Sequence, residues 1–252
     1  MCEVKCFHIL SFLMAQKIQE RRFGMLENKY QLTLQENVFL AKKNITRSVW
    51  SGVHLEGFNM TYPETETVLN HGKLKNADPD AVICANNLKR GWRFLLNNIG
   101  DSAPDLDFDY MSTLNEIVAA NDSLDPGGIR TGEGAIVGTA YRPPIKPRNE
   151  IEVELQEILN IESATERAIS LFLWGSKGQF FWDGNKRTSI LALNRILIEN
   201  GAGLLQITPD ILGEFHTLLH NYYEHDNAEG LKKFLYESAI IAGDFESKKP
   251  SR

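Results

Sequence analysis

The segment Gly178-Gln179-Phe180-Phe181-Trp182-Asp183-Gly184-Asn185-Lys186-Arg187-Thr188 constrains this chain more than any other: it reads as a tight loop feeding directly into a helix. Asp183-Gly184-Asn185 is turn chemistry, because Asx side chains fold back onto the backbone and glycine tolerates positive φ. Behind it Ile190, Leu191, Leu193, Ile196, Leu197 and Ile198 make a strongly apolar helix that stops at Asn200-Gly201. The free N–H groups of Gly184, Asn185, Lys186 and Arg187 then stand at a helix N-terminus, where the dipole is positive, beside two cationic side chains. Such a turn takes a phosphate or another anion. Asp183 is placed to hold Mg²⁺ against that anion. The plainer reading of the same residues is a helix capped by Asp183, with two solvated basic side chains.

A chain of 252 residues, 42% hydrophobic and 24% charged, can form one large domain or two small ones. Its net charge of −6 argues against general nucleic-acid binding, though not against a local basic patch. Cys2, Cys6 and Cys84 have neither CxxC nor zinc spacing and make no disulfide framework, which reads as a cytoplasmic setting. The apolar run from Cys6 to Ala15 is too short to span a bilayer and lacks the positive region of a secretory signal, so no membrane partner is expected. It reads as a packed or loosely docked helix, with Met14 as a second candidate start.

Thr33 and Glu36 form a capping box ahead of Val38, Phe39, Ala41, Ile45, Val49, Trp50, Val53 and Leu55, which keep helical spacing over about six turns. That helix ends near Glu56-Gly57-Phe58, where the dipole disfavours a carboxylate, so Glu56 needs solvent or a cationic partner. Further helices run from Thr61-Tyr62-Pro63 to Gly72, from Asp80 to Ile99 and from Met111 to Ala120. Residues 126–139, rich in glycine and β-branched residues, read as a small hairpin closed by Tyr141-Arg142-Pro143-Pro144. An exposed hairpin can pair edge-on with an extended peptide; the plainer reading is an inert ribbon. Helices resume over Glu150–Leu159 and Ser163–Trp174. Another is capped at Thr208-Pro209-Asp210 and runs through Tyr223, and a last one runs from Asn227 to near Gly243. His216, His220 and His225 invite a metal reading through their i, i+4 spacing, but no HExxH accompanies them, which favours surface or packing roles.

Phe181-Trp182-Asp183-Gly184-Asn185-Lys186-Arg187 at a loop-to-helix start, with a glycine-containing hairpin before it and helices around it, resembles the Fic (Fido) family over roughly residues 35–240. The family's core motif runs His, x, Phe, x, Asp or Glu, Gly, Asn, Gly or Lys, Arg, x, x, Arg. The stretch from Leu55 to Glu64 looks like the family's inhibitory helix, set N-terminal to the core. The resemblance implies an all-α, mainly helical Fic-type fold with one small β-hairpin flap. It divides the chain into an N-terminal extension (1–34), an N-terminal helical region carrying the inhibitory-type helix (35–110) and a core domain (111–245). It also implies transfer of AMP from Mg-ATP to a hydroxyl of a target protein, with pyrophosphate leaving. On that reading Asp183 binds Mg²⁺, and the Gly184-Asn185-Lys186 backbone with the Asn185 side chain holds the α- and β-phosphates. Arg187 neutralises the leaving phosphates, Phe181 packs the loop, and Ile136, Val137 and Gly138 form the flap that aligns the target. Glu56 is the inhibitory carboxylate. A homodimer stays open.

The motif is degenerate. Gln179 stands where the family has its histidine base; a glutamine amide orients a hydroxyl but takes up no proton near neutral pH. Losing a general base typically slows a reaction about 10²–10⁴-fold. Ile190 replaces the second arginine, the usual partner of the inhibitory glutamate, so Glu56 lacks that clamp unless Arg187 substitutes. Gly52 stands where the inhibitory motif usually begins with Ser or Thr, with Ser51 one residue off. Two readings follow: a transferase of AMP or another phosphate-containing group that works without the histidine, and a pseudoenzyme that binds nucleotide or a partner protein without catalysis. A plain helical scaffold is the third.

Overall fold

Caps and turn residues set most helix boundaries in this computed structural model, which describes residues 26–247 and 250. The expectations for Cys6–Ala15 and Met14 lie outside the described residues. Helix α1 (Leu34–Lys43) opens on the Thr33 capping box: Thr33 Oγ1 accepts from the Glu36 amide at 3.2 Å, and Glu36 Oε2 accepts from the Thr33 amide at 2.9 Å. The expected six-turn helix breaks at Asn44. Its side chain donates to the Leu40 carbonyl at 2.9 Å, competing with the backbone for that acceptor, and the chain restarts as α2 (Ile45–Leu55). A second capping box, Thr61 with Glu64, opens α3 (Tyr62–His71), which stops at Gly72 with φ +74°. Asp78 caps α4 (Pro79–Asn97) and Asp107 caps α5 (Phe108–Val118) through their carboxylates. Helices α6 (Arg148–Leu159) and α7 (Ala164–Gly178) follow, the latter capped by Ser163.

Helix α8 (Asn185–Glu199) is the core. From Leu191 to Ile198 every residue is buried, and α1, α4, α5 and α7 pack around it. A helix apolar on all sides belongs inside. Two of its buried polar side chains are held locally: Asn194 Oδ1 accepts from the Leu205 amide at 2.8 Å, and the Arg195 guanidinium lies over the Tyr110 ring at 4.1 Å. Strand β1 (Leu204–Leu205) pairs antiparallel with β2 (Ile240–Ile241), in the register Leu204↔Ile241. Between them lie α9 (Leu212–His225), α10 (Glu229–Phe234) and a π turn over Leu235–Ala239. Helix α9 starts four residues after Thr208, past a turn closed by the Ile211 amide on the Thr208 carbonyl. The last expected helix, α to Phe234 and π through Ala239, stops short of Gly243 because the chain must extend at Ile240 to pair with β1.

The chain is therefore mainly helical with one small antiparallel sheet among the described residues. The strands do not fall where the hairpin was expected. Residues 126–147 form an irregular loop whose pairing is one bridge, Ile129 to Phe181. The cause is Arg130, which is buried. Its guanidinium donates to the carbonyls of Gln179 (2.9 Å), Gly132, Pro143 (3.1 Å) and Pro144 (3.0 Å). One side-chain fork collects the carbonyls that a ladder would have used, and the two prolines have no N–H to return.

Candidate functional site

Helix α7 ends at Gln179 in the left-handed region, φ +48°, and the loop to α8 is laced by side-chain amides. Asn185 Oδ1 accepts from the Phe181 amide at 3.0 Å, while its Nδ2 donates to the Phe181 carbonyl (2.9 Å) and to Gln179 Oε1 (3.2 Å). Gln179 Nε2 donates to the Ser176 carbonyl at 2.7 Å, so both ends of the Gln179 amide are engaged within the loop. Gly184 has φ +74°, and a Cβ there would meet Ala119 Cβ at 2.9 Å and Asn115 Nδ2 at 3.0 Å. Phe181 is buried and stacks on Phe108, 5.5 Å between centroids and 3° between planes. Fully buried Asn115 was not singled out in the sequence. It donates to the Asp183 carbonyl (2.8 Å) and Thr188 Oγ1 (3.1 Å) and accepts from the Gly127 amide (2.9 Å), tying both loops to α5. The signal for it was a polar residue inside an apolar helical run.

The amides of Asn185, Lys186 and Arg187 open α8 and have no acceptor among the described residues. Arg187 is buried rather than solvated. Its Nη1 donates to the Val118 carbonyl and to Asp122 Oδ2, both at 2.7 Å, and its Nη2 to Asp183 Oδ1 at 3.3 Å. Its Nε stands 3.6 Å from Glu56 Oε2. Burial alone would lower the Arg187 pKa, but Glu56, Cys84, Asp122 and Asp183 outweigh it and hold it above the ordinary value. Burial pushes the neighbouring Cys84 thiol up to about 12, so it is an inert packing group. Lys186 Nζ donates to the Leu55 carbonyl at 3.0 Å and lies 3.5 Å from Glu56 Oε1. The two helix ends thus exchange charges: an ammonium from the start of α8 caps the end of α2, and the carboxylate ending α2 faces the start of α8. Both placements suit the dipoles, which answers the question Glu56 posed in the sequence.

Beside the loop lies an open cleft of about 380 Å³ between residues 135–139, the α8 start and α9. Gln179 and Lys186 line one wall; His216, Leu219, His220 and Tyr223 line the other. His220 Nε2 lies 2.8 Å from the Gly138 carbonyl, so that nitrogen carries a proton and donates. Glu224 accepts from the Ala140 amide, and the Lys177 ammonium sits 5.0 Å above the Tyr141 ring. These contacts seat the loop on α9 and α7, with Ile136 and fully exposed Val137 at the mouth and Gly138 (φ +81°) beside them.

No family model matches the sequence, and no curated protein matches it. The architecture superposes on Fic-1 of C. elegans with a TM-score of 0.71 and 17% identity, over 97% of this chain and 73% of that one. It also superposes on a Fic domain containing signaling protein of Bacteroides thetaiotaomicron (TM-score 0.65, 17% identity, 86% of this chain and 87% of that one). A Fic family protein of Desulfovibrio desulfuricans gives a TM-score of 0.61 at 14% identity, over 83% and 64%. This chain has a Fic fold. At such identities the likeness establishes the fold alone.

Within this fold Ile190 and Asp183 have distinct surroundings. Ile190 lines a small internal cavity of about 30 Å³ between α2, α4 and α8, together with Ser51, Gly52, Glu56, Arg187 and Gln206. Ser51 Oγ, Glu56 Oε1, Arg187 Nε and Gln206 Oε1 are buried there without hydrogen-bond partners among the described residues. That volume and those four groups suit about one or two ordered waters. Among the described residues no three His, Cys, Asp or Glu side chains cluster to hold a metal. Asp183 is half exposed: its Oδ1 takes the Gly184 amide and Arg187, and its Oδ2 has no partner among the described residues. One such carboxylate oxygen suits Mg²⁺, which keeps several waters and shares the phosphates of its ligand. No helix among the described residues is long and apolar enough to cross a membrane.

Proposed function

We propose that this chain binds Mg-ATP at the start of α8 and transfers AMP, or another phosphate-containing group, to a hydroxyl of a target protein. The observation that carries the reading is the α8 turn itself. Three amides without acceptors stand beside the Lys186 ammonium, on a loop that Asn185 and Asn115 hold rigid. Transfer of this kind needs positioning and electrostatic stabilisation more than covalent chemistry from the protein. The amides of Asn185 and Lys186 take phosphate oxygens, Asp183 Oδ2 takes Mg²⁺, and Ile136, Val137 and Gly138 guide the target segment. Arg187 acts from beneath, orienting Asp183 and setting the local charge, since direct phosphate contact would pull it from buried partners. Glu56 opposes binding, because it pairs with Lys186 where the phosphates bring their own negative charge.

One observation favours the pseudoenzyme: the Gln179 amide is turned into its own surroundings, Nε2 on the Ser176 carbonyl and Oε1 on Asn185 Nδ2, and an amide takes up no proton near neutral pH. Thermal melting with Mg-ATP, with Mg-ADP and without nucleotide, run beside incubation with α- and γ-labelled ATP, separates the readings. A ligand at about 100 times its Kd adds roughly 2.7 kcal/mol to the folded state. A shift with α-label on protein supports AMP transfer, and γ-label supports phosphate transfer. A shift without label supports the pseudoenzyme. No shift, or undiminished binding in both Asp183→Ala and Asn185→Ala, removes the site and leaves a helical scaffold.

A further inference from the structure

The cleft between the 135–139 loop and α9 holds six polar or ionisable side chains: Thr139, Gln179, Lys186, His216, His220 and Tyr223. Each but His216 is engaged elsewhere or takes up no proton near neutral pH. The Thr139 hydroxyl donates to the Ile136 carbonyl at 2.9 Å. Gln179 uses its amide within its own loop, and an amide takes up no proton near neutral pH. Lys186 is tied to the Leu55 carbonyl and Glu56, and an ammonium has no acceptor to offer. His220 spends Nε2 on the Gly138 carbonyl, where the ring holds the loop, and keeps only Nδ1 as an acceptor. Burial raises the Tyr223 pKa well above the ordinary phenol value, so its hydroxyl stays protonated. His216 has both nitrogens open: it makes a ring contact with Phe215, and neither imidazole nitrogen has a hydrogen-bond partner among the described residues.

We propose that His216 is the proton acceptor for group transfer in this chain, acting from α9 across the cleft from Gln179. The inference rests on the nucleotide-transfer reading above. In the step, the acceptor hydroxyl gives its proton to an imidazole nitrogen of His216 while its oxygen bonds to the α-phosphorus of the nucleoside triphosphate. The bond from that phosphorus to the bridging oxygen breaks, and pyrophosphate leaves with the electron pair. The imidazolium then returns its proton to water through the open cleft. Burial and the Lys186 charge hold the His216 pKa below the ordinary imidazole value, with Glu56 opposing, so the ring is neutral and ready to accept near neutral pH.

The test needs no knowledge of the natural target, because water can serve as the acceptor hydroxyl. Wild type, His216→Gln, His220→Gln and the double variant His216→Gln/Gln179→His are incubated with Mg-ATP, and AMP and pyrophosphate are counted across a pH series. Melting shifts with Mg-ATP and ¹⁵N-imidazole spectra of His216, with and without Mg-ADP, are recorded alongside. The expected result is a loss of about 10²–10⁴-fold in His216→Gln, with the melting shift kept and the low-pH inflection gone. The double variant recovers activity, and the His216 resonances move when Mg-ADP is added. An unchanged rate in His216→Gln overturns the proposal, as does a loss confined to His220→Gln. So does a wild type that melts higher with Mg-ATP yet forms no AMP, which leaves nucleotide binding standing. A wild type with no melting shift overturns the nucleotide reading itself.

Discussion

Arg187 Nε stands 3.6 Å from Glu56 Oε2 across the junction of α8 and α2, too far for a hydrogen bond, and the nitrogen has no other partner among the described residues. The pair is electrostatic and loose. A bidentate arginine–carboxylate clasp would be shorter and about twice as strong as a neutral hydrogen bond. Glu56 is therefore held at the candidate anion site by two cations at arm's length, Arg187 and Lys186.

Removing that carboxylate frees Lys186 for an incoming phosphate, while Arg187 keeps Asp122 and Asp183. Glu56→Gly is expected to tighten Mg-ATP binding by about tenfold, or roughly 1.4 kcal/mol, measured by titration calorimetry. Equal affinities in the two proteins would mean that Glu56 does not obstruct the site.

Ile190 lines the cavity beside Glu56, on the helix that carries Arg187. Ile190→Arg is expected to fill the cavity, pair directly with Glu56 and weaken Mg-ATP binding. Overpacking would cost about 1–3 kcal/mol of stability. Adding Glu56→Gly to that variant should return the lost affinity; if affinity stays low, the arginine acts by distortion rather than by clamping Glu56.

Asn115 joins two loops to α5 with three hydrogen bonds from a fully buried position. Asn115→Ala leaves the Asp183 carbonyl, Thr188 Oγ1 and the Gly127 amide without it, a loss of about 2–3 kcal/mol readable in urea unfolding. Nucleotide binding should fall with it, because Asp183 and Gly184 are no longer pinned. A variant that unfolds at the wild-type urea midpoint would show that water replaces the amide without penalty.

The His216 imidazole has a folded pKa below its unfolded value of about 6.5, through burial first and then the Lys186 charge. Below that value the unfolded chain binds more protons than the folded one, so this group's stabilisation is complete above about pH 6.5. It is lost as pH falls through the folded pKa. Solvent screening keeps the effect small at a partly exposed ring. The melting temperature of wild type should drop relative to His216→Gln as pH falls from about 7 to about 5. Parallel curves would show that His216 titrates normally.

The local devices were legible because their physics is local. Thr33 with Glu36 and Thr61 with Glu64 close boxes three residues wide, and Gly72 and Gly201 supply the positive φ that ends a helix. Asp183-Gly184-Asn185 announced the turn for the same reason. The Asn44 break was hidden, since the apolar spacing continues through it and only a side-chain bond to Leu40 decides the matter. The loop at 126–147 carried the composition of a hairpin, yet Arg130 draws its carbonyls inward and leaves no ladder.

The sequence by itself determined the turn at 183–185, the apolar helix behind it and the mainly helical class, because caps, glycine conformations and periodicity act within a few residues. Only the tertiary structure decided how the charges are used. Lys186 and Arg187 lie 130 and more residues from Glu56, and it is packing around α8 that brings α2's carboxylate to their side. The same packing buries Arg187, turns the Gln179 amide inward and sets His216 in the cleft with no hydrogen-bond partner among the described residues. Pairing of distant charges depends on which helix faces meet, and no short stretch of chain carries that information.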